Sequence, residues 1–479
     1  MLGLNTLIAC LISLGAITNA AGAVPAQLSI VKRADSQTTL ADELSIDEND
    51  NAFVIGVEVG SNNFPLSLIV DTSSDDTWIP SHSYSSNSSS SFETQSTSEI
   101  NVDGTTVDVT SGTDTIHISG QELNDFPLFI ADVSKDTVYG RLGLGYGNNS
   151  TPIKLANANI IARPAYSLNF NPQDGSQIIF GGVDKDQLGG PLVQFKNVAL
   201  QTDSDDLTAV AVSLGKLTYQ NGNGDLITIG EGYLPLELDS SSTDVLLPKP
   251  LFDAFASSIG LDESNSVSCD DIRSSYFMFA IQQQVYTITA TSFFTEEDGK
   301  CVFQALSTEG NHPIFGLTLL QNLYTVVDLE AKSVGLSIFK YSSSSSLQVI
   351  DGGKLPGSIY PPTNDVFDEN NDVFTYFTNG KSATTVTYAN DATSTVKPTH
   401  STPTLGSTRL SGNSMGGPSG SHAASHTADE SAPAPTTLVS STASAKPSSS
   451  ASKSSTKNGA DSLKVAGMAG LLPFVFGLI

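Results

Sequence analysis

Cysteine is nearly missing from this chain, with three in 479 residues. So few cannot staple a disulfide-rich scaffold. Without CxxC pairs or His–Cys clusters, a structural zinc site has no ligands, and no metal is expected. The six histidines are scattered, and no Ser or Cys has a base spaced for a triad, which excludes nucleophilic catalysis. Cations are scarce as well: 22 Lys+Arg face 50 Asp+Glu, a formal net charge of −28. Residues 381–479 hold seven of these cations and only four of the acids, so residues 1–380 carry 15 − 46 = −31. A body of that charge repels phosphate backbones and anionic headgroups, which excludes nucleic acid as a partner. Long apolar runs are missing too. Val465 to Ile479 is fifteen residues without a charge, short of the roughly 20 a membrane helix needs. What is abundant is Gly, Ser and Thr around 39% hydrophobic and only 15% charged residues, the composition of a secreted β protein.

The two ends carry address signals. The apolar stretch Leu7 to Ile17, followed by Ala20-Ala-Gly-Ala23, predicts a secretory signal peptide over 1–23. Lys32-Arg33 predicts dibasic processing that ends a short propeptide, 24–33. At the other end Asn458-Gly-Ala460, a short polar spacer and the apolar tail predict a GPI-anchor signal over 458–479, with Asn458 as the attachment residue. The protein is therefore expected outside the cell, as a monomer touching membrane only through a lipid anchor. From Ser342 onward Ser, Thr, Pro and Gly dominate and hydrophobic periodicity fades, which predicts a disordered stalk over 342–457. Cys10 leaves with the signal, and in an exported chain Cys269 and Cys301 most simply form one disulfide. Sequons at Asn87, Asn148 and Asn149 predict N-glycosylation.

Between residues 50 and 340, short alternating runs are separated by Gly, Asn, Asp and Ser: Phe53–Val59, Thr115–Ile118, Gln177–Phe180, Asp225–Ile229 and Val285–Thr289. The reading is all-β, with Lys249 to Ile259 as the best helical segment. An internal repeat carries the most information. Residues 66–80 (LSLIVDTSSDDTWIP) and 234–248 (LPLELDSSSTDVLLP) align without a gap, placing Asp71 on Asp239. Each is followed by an apolar-Gly element, Arg141-Leu-Gly143 and Ile314-Phe-Gly316. Two homologous lobes are implied, 34–190 and 191–341, each delivering one acid at the end of an apolar strand.

Two such acids brought face to face share one proton and titrate as a pair. The ionised member takes a proton from water while the protonated one donates to a carbonyl oxygen, which hydrolyses a peptide bond without a cofactor. Thr72, Ser74, Ser240 and Ser242 are placed to bond the carboxylates or to brace the two loops. A second reading stays open, in which the bilobal fold serves a non-catalytic binding or cell-wall role.

These motifs resemble the pepsin-like aspartic proteases, in particular the yapsin and secreted aspartyl protease group. D-T-S-S-D-D-T-W-I-P from Asp71 is similar to the family's first D-T-G motif, D-S-S-S-T from Asp239 to its second, and Phe180-Gly-Gly-Val-Asp184 and Tyr324-Thr-Val-Val-Asp328 to later strands. The resemblance implies a bilobal fold with a cleft between the lobes, a catalytic dyad of Asp71 and Asp239, interlobe hydroxyls from Thr72 and Ser240, and peptide or protein substrates. It also implies a C-terminal-lobe disulfide, which Cys269 and Cys301 fit. The departures are Ser73 and Ser241 where the family has Gly, a flap of Val102-Asp103-Gly104 without Tyr, and no N-terminal-lobe disulfide beside Ser81 to Ser98. A side chain at residues 73 and 241 is expected to crowd the site.

Overall fold

The computed structural model describes residues 29–32, 38–47, 52–102, 105–171, 175–200, 206–282, 284–361, 373–378 and 381–387. The expected signal peptide, the flap residues Asp103 and Gly104, and the anchor signal with Asn458 lie outside them.

Three large sheets make the body. An eight-stranded sheet holds the first acid at the end of Phe64–Asp71, and a nine-stranded assembly holds the second just after Leu226–Leu238. Both strands start exposed and end buried: Leu68 to Asp71 and Leu234 to Leu238 are all enclosed. A seven-stranded sheet joins the two halves, in the order Ser29–Lys32, Thr38–Glu43, Gln177–Phe180, Ala165–Asn169, Leu323–Asp328, Ser333–Ile338, Val193–Lys196. Tyr166 and Tyr324 fill it. The fold is the all-β, bilobal arrangement expected. Helix Lys249–Ile259 forms where read, entered through Pro248 and Pro250 and stopped by Gly260 in the left-handed region.

The sequence repeat is a repeat of topology. In the first lobe Gly140–Gly143 pairs parallel to Phe64–Asp71, with Gly143 beside Asp71, and antiparallel to Trp78–Pro80. In the second, Ile314–Phe315 pairs parallel to Leu226–Leu238 and antiparallel to Val245–Pro248. The glycine of each downstream element is required by close approach. A Cβ on Gly143 would sit 2.3 Å from the Asp75 carbonyl oxygen, and one on Gly316 2.1 Å from that of Ser242.

The expected stalk boundary at residue 342 is too early. Leu347–Val349 pairs with Gly182–Asp184, and Ile350 and Leu355 are buried in the body. Gln194 holds this segment, donating to Gly353 O and accepting from Leu355 N and Ser358 Oγ. Further on, Val373–Thr378 and Lys381–Thr387 form a hairpin whose first strand pairs with Gly230–Gly232 and buries Phe374 and Tyr376. Composition hid these few apolar residues among Ser, Gly and Pro. Within the expected propeptide, Ser29–Lys32 pairs antiparallel with Thr38–Glu43.

Candidate active site

Asp71 and Asp239 lie at the lobe junction, 1% and 0% exposed. Strand geometry delivers each to the interior, and hydrogen bonds between the loops fix one against the other. Thr72 Oγ1 donates to Leu238 O at 2.6 Å and accepts from Ser240 N at 2.9 Å. Ser240 Oγ donates to Val70 O at 2.6 Å and accepts from Thr72 N at 3.1 Å. These four reciprocal bonds tie the two repeats together directly beneath the acids. Ser74 and Ser242 brace their own turns instead, accepting from Asp76 N and Asp244 N.

The expected crowding by Ser73 and Ser241 does not occur. Ser73 N and Oγ both donate to Asp71 Oδ1, at 2.8 and 2.6 Å, and Ser241 N and Oγ both donate to Asp239 Oδ1, at 2.8 Å each. The hydroxyl turns onto its own dyad carboxylate, adding a donor that glycine lacks.

Burial pushes Asp239 up to about 7, helped by the carboxylates of Asp71 and Glu237 and opposed by the Arg141 guanidinium and Ser241 Oγ. A carboxyl that holds its proton beside a second carboxyl group suits the pair for moving protons between water and a carbonyl oxygen. Burial also raises Asp75 and Asp76, which Asn149 receives through its backbone N–H and Nδ2.

Val102 ends one flap strand, pairs with Thr105, and is buried in an apolar cluster with Trp78, Val109 and Ala131. Trp78 is thus lobe core. Cys269 and Cys301 are joined by a disulfide with Cα atoms 4.9 Å apart. Of the sequon residues, Asn87 and Asn148 are exposed, whereas Asn149 is half-buried with its Nδ2 on Asp76 Oδ1.

Three charged residues near the dyad escaped the sequence reading. Arg141 Nη1 lies 3.7 Å from Asp71 Oδ2, and the buried His312 Nε2 lies 2.9 Å from Glu237 Oε2. The period-two rule was the available signal. Arg141 is two residues before Gly143, which pairs with Asp71, and Glu237 is two residues before Asp239, so both share the dyad's face.

Residues 52–339 match the sequence profile of the family described as "Eukaryotic aspartyl protease". Secreted aspartic protease 3 of Candida albicans is 29% identical over 343 residues, covering 62% of this chain and 82% of the relative. An acid protease of Saccharomycopsis fibuligera is 25% identical over 332 residues, covering 62% and 83%. The aspartic proteinase of Irpex lacteus superposes with a TM-score of 0.54 at 18% identity, over 64% of this chain and 99% of that one. With a matched profile spanning well over half of its length and a paired acid at the junction of two repeats, this chain belongs to the eukaryotic aspartyl protease family.

Proposed function

We propose that the protein is an active aspartic endopeptidase working outside the cell. Asp71 acts as the base toward a water held between the carboxylates, and Asp239 donates its proton to the scissile carbonyl oxygen. The observation that carries this reading is the reciprocal Thr72–Ser240 bonding, which holds two buried acids side by side at the lobe junction. Ser73 and Ser241 support it further, because both hydroxyls reinforce the carboxylates rather than blocking them. The substrate is an extended peptide laid in the cleft between the lobes, beneath the strand that ends at Val102. Export fits the disulfide and the secreted relatives. A GPI anchor at Asn458 on a Ser/Thr-rich tail, and glycans at Asn87 and Asn148, complete the proposal. Among the described residues, no helix is long and apolar enough to cross a membrane.

The test is cleavage of a peptide library by the purified protein from pH 3 to 7. Activity that disappears in Asp71→Asn and in Asp239→Asn supports the assignment. A folded protein that cleaves nothing at any pH removes it and leaves the binding role.

A further inference from the structure

The oxygen atoms of the dyad are not equivalent. At Oδ1 the two acids match: each accepts an N–H and an Oγ–H from the serine two residues on. At Oδ2 they differ. Asp71 Oδ2 faces the Arg141 guanidinium, whereas Asp239 Oδ2 is buried with no hydrogen-bond partner. The surroundings extend this difference. The repeat superposes Ile69 on Glu237 and Arg141 on Ile314, and all four share the dyad's face. Two aliphatic and two oppositely charged side chains therefore frame the pair diagonally. The cation lies on the Asp71 side, and an acid lies on the Asp239 side.

We propose that Arg141 is a positioning residue of the dyad: paired with Asp71 Oδ2, it keeps Asp71 ionised and leaves the pair's single proton on Asp239. This rests on the reading of the cleft as an aspartic peptidase site. Arg141 and Asp71 are 8% and 2% exposed at their side chains, so water screens the attraction little. The guanidinium also acts on Asp239, but there burial and the carboxylates of Asp71 and Glu237 outweigh it. The other groups facing the pair do not undo the assignment. Asp76, which also senses Asp71, is held by Asn149 Nδ2. The phenol of Tyr166 is pushed well above its usual value by burial and stays neutral. Glu237 disfavours charge on Asp239 and keeps its own place through His312. The consequence is a working pH range with two separate controls. Ionisation of Asp71, set by Arg141, governs the acid limb, and deprotonation of Asp239 governs the limb toward neutrality.

The experiment pairs two readouts on the full secreted chain and its Arg141→Met, Arg141→Lys and Glu237→Gln variants. Carboxyl 13C signals of labelled aspartates, assigned with Asp71→Asn and Asp239→Asn, report which acid ionises first. The pH dependence of kcat/KM on a peptide substrate reports the limbs. In the wild type Asp71 is expected to ionise first and Asp239 near neutrality. Arg141→Met should move the Asp71 titration and the acid limb upward, because it removes the cation facing Asp71 Oδ2. Arg141→Lys, which keeps a cation in the pocket, should restore most of that shift, and Glu237→Gln should lower the Asp239 titration. An Asp71 signal unmoved by Arg141→Met, or Asp239 ionising first in the wild type, overturns the proposal even if peptides are cleaved. A wild type that cleaves nothing yet shows the expected signals leaves the charge assignment standing and removes the peptidase reading. If Arg141→Met does not fold, the wild-type order and the Glu237→Gln shift decide.

Discussion

Replacing Asp239 with Asn should stabilise the protein at neutral pH, and by a large amount for one atom changed. Folding moves the Asp239 carboxyl from an ordinary 3.8 to about 7, mainly by burial. At about 1.4 kcal/mol per unit, three units correspond to about 4 kcal/mol of differential stability. The sign follows from the proton count. Between pH 4 and 7 the folded state holds a proton that the unfolded state has released, so stability falls as pH rises through this window. Below pH 4 both states are protonated and the term vanishes. Asn cannot ionise. Its Oδ1 still accepts from Ser241, and its Nδ2 takes the place of an oxygen that has no partner. Asp239→Asn should therefore match the wild type at pH 3.5 and exceed it by about 4 kcal/mol at pH 7.5, about 6 °C in Tm for a body of this size. Thermal unfolding of both proteins across that range is the assay. Two stability curves that run parallel from pH 3.5 to 7.5 would refute the reasoning, because Asp239 would then ionise alike in both states.

Thr72→Val should cost about 2–4 kcal/mol, since it strands the buried carbonyl of Leu238 and the N–H of Ser240. The same variant should lower kcat far more than it raises KM, and equal effects on both would argue against a role in aligning the acids. Phe374→Ala should cost about 3–5 kcal/mol, measured by denaturant unfolding, although it lies in a segment whose composition reads as stalk. A change below 1 kcal/mol would mean that the hairpin is dispensable to the body.

How much the sequence disclosed depended on whether a signal was repeated. The dyad was legible because Asp71 and Asp239 end two copies of one pattern, and the Thr72–Ser240 bonding followed from that symmetry. Helix Lys249–Ile259 was legible from its period. What breaks the repeat was harder to see. Arg141 and Glu237 replace aliphatic counterparts at Ile314 and Ile69, so agreement between the copies does not mark them. Ser73 and Ser241 stand out in the sequence only as added bulk. Steric volume is visible in a residue name, whereas the rotamer that turns a hydroxyl onto its own dyad acid is not. The hairpin from Val373 failed for another reason: Phe374 and Tyr376 alternate correctly, but averaging over a Ser- and Thr-rich tail diluted two aromatic residues.

The two lobes also fasten their loops by different chemistry. In the second, Cys269 and Cys301 join a short helix to strand Lys300–Phe303 covalently. In the first, the serine-rich loop closes on a single buried carboxylate: Asp114 accepts from Tyr84 Oη at 2.5 Å, Ser91 Oγ at 2.6 Å and Ser89 Oγ at 3.1 Å. A reductant therefore loosens only one half. Under thiol attack the second lobe should slacken around Cys269 while the loop from Ser81 to Ser98 keeps its shape, since nothing in its fastening can be reduced. The molecule is redox-sensitive on one side of its cleft and indifferent on the other.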